Sequence, residues 1–148
     1  MYLHTPVLAL LLFGFAAWAD DQPDRTKLAG AWDSQDEAAK HASWTFELKG
    51  DSLHVMYSEG GQVVTDFECT TKGRDCDAKA GGGKARVSLW FNGPKLVELE
   101  TRGTEILKRR FAITGQGDQM EVEVIPIAPG GKTETLHFKR GALSASSH

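Results

Sequence analysis

Residues 84–103, KARVSLWFNGPKLVELETRG, are the stretch whose reading decides the fold. Ala85, Val87, Leu89 and Phe91 alternate with Lys84, Arg86, Ser88 and Trp90. Val97, Leu99 and Thr101 then alternate with Leu96, Glu98, Glu100 and Arg102. A period of two with one apolar face marks a half-buried β-strand. Asn92-Gly93 invites a two-residue turn, but pairing through it sets Val87 opposite Glu98 and mixes the faces. An odd connection, such as Asn92-Gly93-Pro94, sets Leu89 opposite Val97, Val87 opposite Leu99 and Arg86 opposite Glu100. A one-residue slip inverts a whole strand, so the face pattern takes precedence and the expected loop is odd.

The same plan extends in both directions. Upstream, residues 43–48 turn Trp44, Phe46 and Leu48 to one face, residues 52–57 turn Leu53, Val55 and Tyr57, and residues 62–69 turn Val63 and Phe67. Lys49-Gly50-Asp51 and Glu59-Gly60-Gly61 supply the turn chemistry between them. Residues 70–83, TTKGRDCDAKAGGG, read as a polar, glycine-rich loop. Their glycines lack the framing of a phosphate-binding loop. Downstream, residues 105–114 turn Leu107, Phe111 and Ile113 inward. Apolar matching pairs Leu99 with Leu107, Phe111 with Val122, Ile113 with Met120, Val124 with Leu136 and Val122 with Phe138. These registers also oppose charges outside: Glu98 to Lys108, Arg110 to Glu123 and Glu121 to Lys139. The fold expected is all-β: an antiparallel up-and-down meander of eight strands, with Gly30-Ala31-Trp32 as the candidate ninth. One apolar face and exposed edges favour closure into a small barrel. An outer-membrane barrel would need the apolar face outside.

Residues 1–19, MYLHTPVLALLLFGFAAWA, contain no acid, lysine or arginine, and end in a small-x-small pattern before Asp20-Asp21. They read as a secretory signal peptide cut after Ala19, too short for a spanning helix. Residues 20–26 form an acidic lead, 27–140 the barrel domain, and 141–148 a small, polar, flexible tail. The chain has 17 basic and 20 acidic residues, for a formal charge of −3. With the two signs interspersed, neither a nucleic acid nor an anionic membrane is an expected partner. Cys69 and Cys76 are the only cysteines, and in an exported chain an even pair reads as a disulfide.

Leu28-x-Gly30-x-Trp32 ahead of a meander resembles the opening of the lipocalins and the wider calycin group. The chain is also similar to short exported lipocalin-like domains of bacteria, mostly of unknown function. The resemblance implies that Gly30 and Trp32 begin the first strand. It also implies that Trp32 stacks against a late arginine at the closed barrel end, which Arg140 matches.

For function, an eight-stranded barrel is either filled by side chains or keeps room for one small ligand. Parity places Arg109 inward with Leu107 and Phe111, unless the strand bulges at Lys108-Arg109-Arg110. A buried guanidinium needs a carboxylate, from an acidic ligand or from the protein. Arg109, Tyr57, Trp44 and Phe111 are therefore the candidate ligand contacts. His41, His54 and His137 are scattered, so no metal site is expected; Ser88 lacks a nucleophile-elbow context. No catalytic constellation and no cofactor site emerges. Trp90 and Leu96 are expected side by side on the outer face. The expectation is a secreted or periplasmic, monomeric, non-catalytic barrel binding a small apolar or amphipathic ligand. The alternative is a packed barrel serving as a protein-interaction module at the cell envelope.

Overall fold

The computed structural model describes residues 25–141. The signal peptide expected over 1–19, the first part of the lead and the tail beyond Gly141 lie outside them. After a short 3-10 turn (Arg25–Lys27) come ten strands. They are β1 (Gly30–Ser34), β2 (Ala42–Lys49), β3 (Ser52–Glu59), β4 (Gln62–Thr70) and β5 (Cys76–Ala80). Then follow β6 (Gly83–Asn92), β7 (Lys95–Arg102), β8 (Glu105–Thr114), β9 (Gln119–Ala128) and β10 (Glu134–Arg140). A second 3-10 turn, Glu37–Ala39, lies between β1 and β2. Each strand pairs antiparallel with the next, and β1 also pairs with β10, so the sheet is a closed up-and-down barrel.

The strand beyond the expected count is β5, inside the stretch read as a loop. Its inward residues Ala78 and Ala80 are buried but small, so alternation carried little hydrophobic contrast. Gly81 and Gly82 have φ of 56° and 80°, the positive values a two-residue I′ hairpin demands at both central positions. They turn β5 directly onto β6, with Ala80 opposite Gly83. β4 and β5 pair only at Thr65–Ala80 and Asp66–Lys79. Below those pairs the Cys69–Cys76 disulfide joins the two strands, with Cα atoms 5.7 Å apart.

β7 takes a register one residue away from the expected one at both of its ends. Asn92 pairs with Lys95 and Arg102 with Glu105, so Gly93-Pro94 and Gly103-Thr104 are both two-residue loops. Gly93 and Gly103 each have φ of 60°, as the first central position of a II′ turn requires. The odd loops expected at both ends are replaced by even ones, and the effect is to invert β7 alone. Val87 faces Glu100, Leu89 faces Glu98 and Phe91 faces Leu96. On the other side Glu98 pairs with Arg109 and Leu99 with Lys108, not with Leu107. Leu99 therefore leaves the inward set, and Leu96, Glu98 and Glu100 enter it. The expected outer neighbours Trp90 and Leu96 are separated: Leu96 is fully buried inside, and Trp90 pairs with Val97.

The β8–β9 register agrees with apolar matching at Phe111–Val122, Ile113–Met120 and Arg110–Glu123. β10 is offset by two residues, with Val122 opposite Leu136, Met120 opposite Phe138 and His137 opposite Glu121. A slip of two keeps every side chain on its face, so face matching cannot detect it.

One barrel end is shut by Trp32 and Arg140, which are themselves cross-strand partners. The Arg140 guanidinium lies 4.2 Å from the Trp32 ring centroid. It donates to the carbonyls of Gly117 (3.1 Å), Ala29 (2.6 Å) and Lys27 (2.7 Å). The indole N–H of Trp32 donates to the Leu28 carbonyl at 2.8 Å. Gly30, with φ of 118°, brings this segment onto β2 opposite Phe46. Lysine would keep the charge but lose the planar stack and the fork of donors. Arg140→Lys is therefore expected to lower stability by about 1–3 kcal/mol, read as a lower urea midpoint with an unchanged far-UV spectrum.

Candidate ligand site in the barrel interior

The interior divides into two halves. Towards the Trp32–Arg140 end, Phe46, Leu53, Leu89, Leu96, Phe111, Met120, Val122 and Phe138 are fully or almost fully buried and close-packed. Towards the opposite mouth, inward positions on β5 and β6 hold only Ala78, Ala80 and Ala85. Across from them Leu107, Val124, Pro126 and Leu136 remain half-buried. Small residues on one wall and incompletely covered ones on the other leave the mouth half less filled.

Between the halves lies a charged cluster. Arg109 Nη1 donates to Glu98 Oε1 at 2.9 Å and stands 3.8 Å from Glu100 Oε1. The three side chains are 13%, 0% and 5% exposed respectively. The guanidinium also lies 5.4 Å from the Trp44 ring centroid. Trp44 in turn contacts Tyr57 (4.6 Å between centroids) and meets Phe111 edge-on (4.9 Å). Arg109, Tyr57, Trp44 and Phe111 thus stand together, with Phe111 and Trp44 buried in the packed half. The Tyr57 hydroxyl donates to Glu59 at 2.9 Å, and burial, helped by that bond, pushes its pKa to about 12.

Glu98 and Glu100 are the residues the sequence reading missed, because it placed β7 the other way round. The signal was present: an inward Arg109 requires acids at alternate positions on a neighbouring strand, and Glu98-x-Glu100 supplies them. Burial holds the Glu98 carboxyl above the usual range; Arg109 opposes this and Glu100 reinforces it. Glu98 Oε2 and Glu100 Oε1 are buried without a hydrogen-bond partner. Glu100 also lines a cavity of about 230 Å³ at the mouth, with Arg102, Glu105, Leu107 and Pro126 among its other walls. A second depression, about 560 Å³, lies at the closed end against Leu28, Phe91, Ile113 and Arg140. There the guanidinium is already engaged by three carbonyls.

No family model and no curated protein matches this chain. Solved structures do. A REP1-NXSQ fatty acid transporter matches with a TM-score of 0.63 at 16% identity, covering 80% of this chain and 98% of its own. A secretory abundant heat soluble protein from Ramazzottius varieornatus gives 0.65 at 13%, covering 78% and 96%. A Schistosoma mansoni fatty acid binding protein in complex with arachidonic acid gives 0.62 at 18%, covering 79% and 98%. The fold is a lipocalin-like, calycin-type barrel. At these identities the likeness is one of fold alone.

On the outside of this calycin-type barrel His54 and His137 are engaged with acids. His54 Nε2 lies 2.6 Å from Asp66 Oδ1 and its Nδ1 3.5 Å from Glu47 Oε2. His137 stands 3.6 Å from Asp36 and 3.8 Å from Glu121. Among the described residues no group of three His, Cys, Asp or Glu side chains converges as metal ligands.

Two outcomes are expected. Arg109→Met leaves two buried acids without their cation and should cost about 3–5 kcal/mol; a loss below about 1 kcal/mol in urea unfolding would contradict the cluster. His54 is raised above its ordinary value, chiefly by the Asp66 hydrogen bond. Its stabilisation is therefore complete below the unfolded value of about 6.5 and lost as pH rises through the folded one. The NMR titration midpoint of His54 should lie above 6.5 and fall in Asp66→Asn.

Proposed function

We propose that this chain is exported and carries a small apolar or amphipathic molecule in the mouth half of its barrel, without catalysing a reaction. The observation that carries the reading is Glu100. Its buried, incompletely partnered carboxyl lines a cavity at the mouth together with Arg102, Glu105 and an apolar wall that includes Leu107 and Pro126. Apolar walls with a few polar groups converging at one point are the usual make-up of a small-molecule site. The reading also draws support from the fold likeness to a fatty acid transporter and to a barrel holding arachidonic acid. Export rests on the leader over 1–19 and agrees with a Cys69–Cys76 disulfide. The close-packed half near Trp32 favours a second reading, in which the barrel is a rigid monomeric module that meets a protein partner from outside.

Mass spectrometry of protein purified from the exported fraction separates the two. The denatured mass should correspond to a cut after Ala19 and the loss of two hydrogen atoms at the disulfide. The native mass should carry an additional small molecule that leaves on denaturation. A bare native mass, together with no saturable uptake of a neutral fluorescent lipid probe, would overturn the carrier reading in favour of the module.

A further inference from the structure

The cluster at the mouth has more acids than cations. Glu98, Glu100 and Glu105 face Arg102 and Arg109, so three carboxyls share two guanidiniums. Both guanidiniums are committed. Arg109 is bonded to Glu98 and close to Glu100. Arg102 donates to the Ala80 carbonyl at 3.4 Å and lies 3.9 Å from Glu105. With both acids ionised the unused capacity is acceptor capacity: Glu98 Oε2 and Glu100 Oε1, both on side chains at least nine-tenths buried, have no hydrogen-bond donor, and of the two residues Glu100 is the one that lines the cavity.

We infer that the ligand enters with a hydrogen-bond donor at its polar end, an amine or ammonium group on an apolar chain, and that a carboxylate end is disfavoured. This rests on the carrier reading above. An ammonium has three donors and no acceptor. At the cavity it meets the orphaned Glu100 oxygen and brings the count to three cations for three acids. A carboxylate does the reverse, adding a charge beside two buried acids whose cations are already taken. An alcohol donates one hydrogen bond without changing the charge, and falls between. A proton on Glu98 is the other way to balance the cluster in the empty barrel, and burial favours it. An arriving ammonium displaces that proton to solvent.

The test uses mature, disulfide-bonded protein and three probes with the same chain: dodecylamine, dodecan-1-ol and dodecanoate, titrated calorimetrically below their micellar range. One-to-one binding is expected, with dodecylamine at least roughly tenfold tighter than dodecanoate, as charge-assisted pairing at a desolvated site gives. Glu98→Gln/Glu100→Gln removes both acids and frees Arg109, so the order should reverse towards dodecanoate. If that variant lacks the near-UV spectrum of a folded barrel, Glu100→Gln alone should narrow the preference. Equal or tighter dodecanoate binding by the unaltered protein overturns the inference and leaves the carrier reading standing. Failure of all three probes to bind saturably overturns the carrier reading, and the inference with it.

Discussion

Arg109 faces the inside of a barrel, and most of what distinguishes this molecule depends on how that charge is met. A lone guanidinium removed from water is costly enough to be incompatible with a marginally stable domain. Two acids answer it, Glu98 directly across the strand pair and Glu100 two residues on. For both to reach it, β7 must turn its even-numbered residues inward. That places Val97 and Leu99 on the outer side of the sheet, against the hydrophobic pattern of their own segment. The electrostatic demand of one residue on β8 and the geometry of two tight turns together outweigh the apolar preference of β7.

The two ends of the barrel handle an arginine in opposite ways. At the closed end Arg140 is satisfied by neutral carbonyls and the face of Trp32, which uses its donors and completes the ring between β1 and β10. Near the mouth Arg109 is satisfied by carboxylates, and there are more of these than it can use. The first arrangement is self-contained and holds the fold shut. The second leaves two buried acceptor atoms without a donor, one of them on Glu100 at the wall of the mouth cavity, which is a poor way to stabilise a core. The closure of the barrel and the proposed binding site thus lie at different ends of one sheet.

Strand alternation, the turns at Gly50 and at Gly60-Gly61 and the cysteine pair were legible in the sequence because each is a local property. The matching of Leu28-x-Gly30-x-Trp32 with Arg140 came instead from the resemblance to the lipocalins, which needs no knowledge of register. The strand β5 was hidden because alanine alternation has almost no hydrophobic contrast. The offset of β10 was hidden because a slip of two preserves every face. The acids of the candidate site were hidden for a stronger reason: they lie on a strand whose apolar pattern points the other way.

The sequence by itself therefore determined an antiparallel meander with one apolar face, an arginine of inward parity and a cysteine pair placed to bridge, because periodicity and residue chemistry act over a few neighbours. Only the tertiary structure decided which face of β7 is inside and which carboxyls meet Arg109. That choice is made by contacts between β6, β7 and β8 at once. Strand alternation has a period of two, so a single residue at each turn exchanges a leucine for a glutamate in the barrel interior.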